Sequence, residues 1–206
     1  MITVLEHPLI HNDLKILRDK NTATPQFRDA VNRIATHLAI AVTEDILVEE
    51  IQVETPLETT TAFQTKDKIV LIPIIRAGMG LLAPFQQVIP ESSTGYIGLK
   101  RNETTFEAEE YFFSLPKIDD DTTIIILEVM LATGGSISNT INRLLLEGAS
   151  KIIIAAIISA PEGVEKIMTE FPDVNIYTAA LDRELNNLKY ILPGLGDAGD
   201  RLNGTV

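Results

Sequence analysis

The chain has 206 residues, 29 acidic and 17 basic side chains, a formal net charge of −12, and neither cysteine nor tryptophan. A hydrophobic fraction of 45% excludes a wholly disordered chain, and the lack of cysteine excludes disulfide scaffolds, thiolate metal centres and cysteine nucleophiles. The acidic excess argues against a duplex nucleic-acid partner, because such proteins replace phosphate counterions with lysine and arginine. A small phosphorylated ligand remains compatible with this charge, since a local site can be positive.

No stretch of the sequence reaches the ~18–20 uncharged apolar residues of a membrane helix. The first eight residues, MITVLEHP, contain neither a basic nor a long apolar signal-peptide region. We therefore expect a single domain over residues 1–206, located in the cytoplasm and without a membrane partner.

Helical and strand patterns alternate along the chain. Thr24 and Pro25 are typical of an N-cap followed by proline in the first turn, and apolar residues then recur at helical spacing as far as Val42. Residues 46–54 alternate like a strand of a hairpin or meander. Four continuous apolar runs predict strands buried on both faces, at 68–75, 122–127, 151–159 and 174–181. Two helical faces lie after the second and third of these runs: Ile137, Ile141, Leu144 and Leu145, ending at Gly148, and Val164, Ile167, Met168 and Phe171, following Pro161.

Strands that alternate with helices predict an α/β fold with a doubly wound, mainly parallel sheet flanked by helices. We expect residues 1–45 to form a helical extension before this sheet. Sheets of this type bind ligands at the carboxyl ends of their strands. The residues that follow Ile75, Leu127 and Leu181 are therefore the candidates for a functional site.

The segment 128–136 reads EVMLATGGS and follows the 122–127 strand. Unpaired backbone N–H groups and the helix dipole at the start of the next helix favour a phosphate. The glycine pair allows close backbone approach and a positive φ, while Thr133 and Ser136 add hydroxyl donors. Glu128 is placed to accept hydrogen bonds from two neighbouring sugar hydroxyls. On the glycine pair alone, an ordinary strand-to-helix turn explains the segment equally well.

Motifs spread along the whole chain add a resemblance to a known family. An apolar run, an acidic residue and ATGGS are similar to the phosphoribosyl-diphosphate (PRPP) signature of type I phosphoribosyltransferases, and MLATGGS at 130–136 resembles the uracil phosphoribosyltransferase family in particular. Further stretches resemble that family in order: HPLI at 7–10, LRD at 17–19, PIIRAGMG at 73–80, RNET at 101–104 and YILPGLGDAGDR at 190–201.

The resemblance implies transfer of the phosphoribosyl group from PRPP to uracil, which gives UMP and diphosphate in pyrimidine salvage. It implies a type I phosphoribosyltransferase fold with a flexible β-hairpin arm at 100–116 and a C-terminal base-binding hood at 182–206. Mg²⁺ would accompany PRPP rather than occupy a protein site, with Asp200 as a candidate contact. The resemblance also implies a homodimer or homotetramer, with GTP as an effector.

The resemblance assigns roles to particular residues. The implied catalytic residues are Arg76, Arg101, Glu128 and Asp197. The implied PRPP-binding residues are Arg76, Arg101, Glu128, Val129, Met130, Leu131, Ala132, Thr133, Gly134, Gly135, Ser136 and Asp197. The implied uracil-binding residues are Ile191, Gly196, Asp197 and Ala198.

Three stretches depart from the family pattern. Glu128 and Val129 stand where the family has Asp-Pro, and residues 184–189 lack two glycines and a carboxylate of the family sequence. Pro84 lies in a predicted helix, where proline fits only near the start. The alternative reading is a PRPP- or nucleotide-binding relative with weak or no transferase activity, acting as a regulator or an inactive subunit.

Overall fold

The computed structural model describes residues 1–101 and 108–205, with the backbone alone at positions 101 and 108. The helices are α1 (Pro8–Arg18), α2 (Thr24–Val42), α3 (Met79–Val88), α4 (Gly135–Leu146), α5 (Pro161–Glu170) and α6 (Ala198–Asn203). The strands are β1 (Ile2–Val4), β2 (Val48–Glu54), β3 (Thr59–Thr65), β4 (Lys68–Ile75), β5 (Ser93–Thr94), β6 (Tyr96–Arg101), β7 (Ala108–Ser114), β8 (Thr122–Leu131), β9 (Lys151–Ser159), β10 (Asn175–Leu181), β11 (Glu184–Leu185) and β12 (Ile191–Leu192).

The central sheet has the strand order β1-β10-β9-β8-β4-β6-β7, and β5 pairs with β4 beside this path. Neighbouring strands run parallel, except that β7 is antiparallel to β6. Two short antiparallel hairpins, β2–β3 and β11–β12, stand outside the sheet. The predicted mainly parallel sheet is therefore confirmed.

Apolar side chains cover both faces of this sheet. In β8, Ile125 and Leu127 join a buried cluster with the residues of α1, α2 and α3, whereas Ile124 and Ile126 join a second cluster with α4 and α5. Successive strand residues point to opposite faces, so a strand covered on both faces needs a continuous apolar run. This requirement explains why the central strands were visible in the sequence.

Several predicted boundaries are wrong. The 122–127 strand continues to Leu131, because β8 stays paired with β9 as far as the Leu131–Ser159 pair. Thr24 is not an N-cap: α2 begins at Thr24, and Ala23 precedes it without a side-chain cap. Pro84 lies inside α3 rather than near its start, and it is buried there. A proline inside a helix removes one backbone hydrogen bond, and the packing of Pro84 against the core offsets that loss.

The helical extension predicted for residues 1–45 contains α1 and α2, and it also contributes strand β1 to the edge of the sheet. The arm predicted at 100–116 overlaps the antiparallel pair β6–β7, which begins earlier, at Tyr96, and in which β6 is bonded to β4. Residues 102–107 of that arm lie outside the described residues. Within the described residues, no helix is both long and apolar enough to cross a membrane.

Gly78 brings the turn after β4 directly onto the backbone of β8. A Cβ atom at this position would lie 2.3 Å from the carbonyl oxygen of Leu127 and 2.7 Å from the amide nitrogen of Ile74. Backbone atoms cannot swing aside as the end of a side chain can. Only glycine therefore allows this turn to lie against the neighbouring strand.

We predict that Gly78→Ala destabilises the protein by about 2–3 kcal/mol, because the added methyl forces the two backbones apart. Gly135→Ala is the matched control, since a Cβ there meets only Thr133 Oγ1 at 3.6 Å, and its cost should stay within about 0.5 kcal/mol. Urea unfolding of both variants measures the difference. Equal unfolding midpoints for the two variants would contradict this account of the turn.

Candidate functional site

The strand ends predicted to form the site meet at one edge of the sheet. Pro73 of β4 pairs with Leu127 of β8, and the amide of Ala160 donates to the carbonyl of Leu131 at 2.8 Å. The amide of Asp182 donates to the carbonyl of Ser159 at 2.8 Å. The loops that follow β4, β8 and β10 therefore surround a common edge, as the strand order of a doubly wound sheet requires.

The loop between β8 and α4 has the geometry expected of an anion cradle. Gly134 is the N-cap of α4 and has a left-handed backbone, with φ 76°, and its carbonyl accepts the Ser138 amide at 2.8 Å. The first turn of α4 contains no acidic residue. A small cavity of about 70 Å³ opens here, lined by Glu128 and residues 130–137. Its backbone donors and positive dipole end favour a phosphate group.

Glu128 lies within β8 rather than after its end, because the strand continues to Leu131. Its Oε1 accepts a hydrogen bond from the Val129 amide at 2.8 Å. Burial raises the pKa of Glu128 to about 7, and hydrogen bonds from the amides of Val129 and Met130 only partly oppose this shift. The carboxyl group therefore changes charge close to neutral pH.

The side chains of Val129 and Leu131 are buried in the two core clusters. Among the residues predicted to bind PRPP, these two therefore offer only backbone groups to a ligand. The glycines and hydroxyls predicted at 133–136 do line the small cavity with Glu128.

Arg76 is the first residue after β4, and the peptide bond that precedes it is cis. Its Nη2 lies 3.4 Å from Asp200 Oδ1 in α6, and its side chain is 57% exposed. Asp197 caps that helix, because its Oδ1 accepts the Asp200 amide at 2.9 Å. The structure thus brings an exposed guanidinium close to two carboxylates that lie more than a hundred positions after it in the sequence.

These carboxylates bear on the predicted metal. Within residues 1–101 and 108–205, no group of three or more His, Cys, Asp or Glu side chains is placed to hold a metal ion. The Asp197–Asp200 pair matches the donor set of Mg²⁺, which commonly binds one or two carboxylates together with ligand phosphates.

The predicted base-binding residues lie in the loop between β12 and α6 and at its two ends. The side chains of Ile191 and Ala198 are buried in the core, so these two residues offer backbone groups. Gly196 has φ 81°, and a Cβ there would meet nothing nearer than Arg201 Cδ at 3.6 Å. A side chain at Gly196 would therefore lie in ordinary contact with Arg201, and the positive φ is what favours glycine there.

The 184–189 departure still forms an ordered turn, between β11 and β12. Asn186 Oδ1 accepts the amides of Leu188 and Tyr190, each at 2.9 Å. Lys189 takes a left-handed backbone with φ 65°, which favours glycine. The asparagine side chain therefore closes the turn between the two short strands.

The sequence analysis missed the charge pair that holds the loop between β12 and α6. Arg18 binds Asp182 through two parallel bonds of 2.9 and 2.6 Å, and the same guanidinium donates to the Gly194 carbonyl at 3.0 Å. Asp182 Oδ2 also accepts the Gly194 amide at 2.9 Å. An acidic residue directly after a buried strand was the only local signal for it.

Arg201 ties the same loop to the N-terminal helices. Its guanidinium donates to the carbonyls of Leu17, of Leu195 at 2.7 Å and of Asp19 at 2.7 Å, and it stacks over the Phe27 ring at 4.3 Å. Sequence analysis quoted Arg201 only as part of a motif. These bonds make it a structural anchor of the loop between β12 and α6.

Arg101, predicted to act at the site, is the last residue of β6. Its side chain and residues 102–107 of the predicted arm lie outside the described residues. The role predicted for Arg101 stays a prediction.

Comparisons with known proteins agree along the whole chain. The model of the uracil phosphoribosyltransferase family matches residues 4–205. The chain is 45% identical to the uracil phosphoribosyltransferase of Bacillus thuringiensis, over 98% of this chain and 97% of that protein. It is 47% identical to the uracil phosphoribosyltransferase of Fervidobacterium nodosum, over 98% of both.

Solved structures extend this agreement to the fold. A protein from Aquifex aeolicus is similar with a TM-score of 0.94 and 36% identity, over 98% of this chain and 97% of that chain. The purine phosphoribosyltransferase of Pyrococcus horikoshii is similar with a TM-score of 0.51 and 15% identity, over 75% of this chain and 87% of that chain. This second likeness concerns the fold alone.

We predict that Arg18→Met destabilises the protein by about 3 kcal/mol, because it leaves the Asp182 carboxylate, whose side chain is 3% exposed, without its charge partner. The matched control is Arg183→Met, which removes an exposed pair with Glu184 and should cost less than about 1 kcal/mol. Chemical unfolding at neutral pH measures both variants. If the two substitutions cost the same, the Arg18–Asp182 pair does not hold the loop as described.

Proposed function

The chain belongs to the uracil phosphoribosyltransferase family, and from this membership we propose how its residues carry out the reaction. The enzyme transfers the 5-phosphoribosyl group of PRPP to uracil, which gives UMP and releases diphosphate. The observation that carries the assignment of residues is the meeting of the anion cradle, Glu128 and the Arg76–Asp200 pair at one edge of the sheet.

PRPP binding follows from the chemistry of these groups. The 5-phosphate accepts hydrogen bonds from the backbone N–H groups and hydroxyls of residues 133–136, at the positive end of α4. The Glu128 carboxylate accepts hydrogen bonds from the two ribose hydroxyls. The exposed guanidinium of Arg76 pairs with the diphosphate, where a planar fork of donors suits phosphate oxygens.

The transfer step needs positioning and neutralisation of the leaving group more than a strong base. The bond between ribose C1 and diphosphate breaks while uracil N1 forms the new bond and loses its proton to solvent, so negative charge grows on the diphosphate. Donors already in place stabilise that charge without reorganisation. Arg76 and Arg101 are the proposed side chains for this role.

Mg²⁺, bound with PRPP and contacted by Asp200, would supply further positive charge beside the diphosphate. Asp197 lies next to this region and contacts the ribose or diphosphate end of the ligand. Its hydrogen bond to the Asp200 amide keeps the two carboxylates in a defined relation.

Uracil recognition rests on backbone groups held in fixed directions. Ile191, Gly196 and Ala198 present N–H and C=O groups toward the ring edge, and the Arg18–Asp182 pair holds the Gly194 peptide beside them. Cytosine carries an amino group where uracil has a carbonyl, so it would leave a donor facing a donor. A buried unpaired polar group rejects such a base strongly.

Four further expectations belong to this proposal. The enzyme acts in pyrimidine salvage in the cytoplasm, Arg101 closes over the diphosphate, and GTP activates the reaction. A dimer or a tetramer is expected, and the β2–β3 hairpin supports it with Leu57, 95% exposed, and Phe63, 65% exposed. Two large exposed apolar side chains on one hairpin favour a contact surface there, whereas apolar residues scattered singly over a surface are ordinary.

We predict that the purified chain converts radiolabelled uracil and PRPP to UMP in the presence of Mg²⁺, and that cytosine is not a substrate. The assay also tests the alternative of a weak or inactive relative. That alternative arises because Glu128 is one methylene longer than the aspartate of the family pattern, and a misplacement of ~1 Å can cost about 10²-fold in rate. No UMP above the blank, with PRPP still protecting the protein against thermal unfolding, would favour that alternative.

We also predict a pH dependence carried by Glu128. Its pKa of about 7 means that the carboxylate needed for the ribose hydroxyls is lost as pH falls through neutrality. The kcat/KM for PRPP should therefore rise with pH through about 7, and Glu128→Gln, which cannot ionise, should flatten that step. A wild-type profile without an inflection near 7 would contradict the assignment.

The same ionisation has a consequence for stability. The folded-state pKa lies above the ordinary value of 4.5, so the unfolded chain releases this proton first as pH rises. The free energy of unfolding of the wild type should fall between pH 4.5 and about 7 relative to Glu128→Gln. Parallel curves for the two proteins would show that Glu128 titrates normally.

A further inference from the structure

The first turn of α5 touches both halves of the site. Ala160, directly before α5, is bonded to the end of β8, since its amide donates to the Leu131 carbonyl at 2.8 Å. On the other side, Glu162, the second residue of α5, is bonded to the β11–β12 hairpin, since its Oε1 accepts the Leu185 amide at 2.8 Å. This hairpin contains Ile191, a proposed uracil contact, and is called the base-binding hairpin below. A single helical turn therefore lies between the two ligand-binding loops.

The contact with the phosphate loop is made between backbones. A Cβ atom at Gly163 would lie 2.3 Å from the carbonyl oxygen of Ala132 and 3.0 Å from its carbonyl carbon. A Cβ atom at Gly134 would in turn lie 3.1 Å from the carbonyl oxygen of Gly163. Neither position leaves room for the loop to shift independently of α5, because close-packed backbone transmits displacement.

The contact with the base-binding segment is a single side-chain bond. Leu185 belongs to β11 and packs partly against the core, and the hairpin partner of Leu185 is Ile191. Ile191 is also one of the residues proposed to contact uracil. The Glu162 carboxylate thus acts on the base-binding strand through its neighbour in the hairpin.

We propose that Glu162 is a positioning residue that couples occupation of the phosphate loop to the affinity for uracil. This inference rests on the proposed function, because it assumes that the two loops bind the two substrates. A phosphate bound to residues 133–136 favours the present arrangement of that loop. The rigid Gly134–Gly163 contact then holds the start of α5, and the Glu162–Leu185 bond holds the hairpin that presents Ile191.

Coupling between two sites is an equilibrium quantity and is read directly from binding. Uracil affinity is measured by titration calorimetry on the whole chain, with and without saturating ribose 5-phosphate, which carries the 5-phosphate but has no diphosphate to lose. For the wild type we expect ribose 5-phosphate to tighten uracil binding by at least about 5-fold. For Glu162→Ala we expect that ratio to fall to about 1 while ribose 5-phosphate affinity stays the same.

Two variants separate positioning from a purely structural role. Glu162→Gln keeps an oxygen acceptor for the Leu185 amide and should retain the wild-type ratio, although it loses the charge near the start of α5. Glu165→Ala removes an exposed carboxylate from the same helix and should also retain the ratio. Loss of coupling in Glu162→Gln as well would assign the effect to charge and overturn the proposed bond.

The remaining outcomes also decide the inference. Glu162→Ala with the wild-type ratio would overturn it, as would a wild type whose uracil binding is unaffected by ribose 5-phosphate or undetectable in its presence. UMP formation, assayed on the same protein preparations, distinguishes failure of the coupling from failure of the proposed function. An active wild type without the coupling refutes the role of Glu162 alone, whereas a chain that forms no UMP refutes the function.

Discussion

Direct contact between backbones, with no side chain in between, sets where the loops of the site lie. The turn after β4 touches the Leu127 carbonyl at Gly78, and the start of α5 touches the Ala132 carbonyl at Gly163. Contacts of this kind leave no soft atoms to absorb movement. The backbone that carries Arg76 and the backbone donors at the start of α4 are therefore held at fixed places without being buried.

The charge of the site is local and opposes the charge of the chain. The net charge of −12 belongs to the molecule as a whole, whereas the cradle offers backbone donors and a helix start without acidic residues. Glu128 is the exception, because it is a carboxyl group placed beside an anion site. Burial raises its pKa to about 7, so both the neutral and the charged form are populated near neutral pH.

The sequence was informative where local patterns decide the structure. Strands buried on both faces need continuous apolar runs, so β4, β9 and β10 and the start of β8 were predicted close to their observed bounds. The loop between β8 and α4 was predicted because a strand, a glycine pair and a helix start are contiguous.

Contacts between distant residues left no such pattern. Nothing local pairs Arg18 with Asp182, 164 positions away, or Glu162 with Leu185. The end of β8 was misplaced because Glu128 ended an apolar run, whereas strand pairing continues beyond it to Leu131.

The most direct test of the account is a crystal structure with UMP bound. We expect the phosphate oxygens about 2.7–3.2 Å from the donors of residues 133–136, with the Glu128 carboxylate bonded to both ribose hydroxyls. A phosphate bound elsewhere, or a Glu128 that still faces only the Val129 amide, would contradict it.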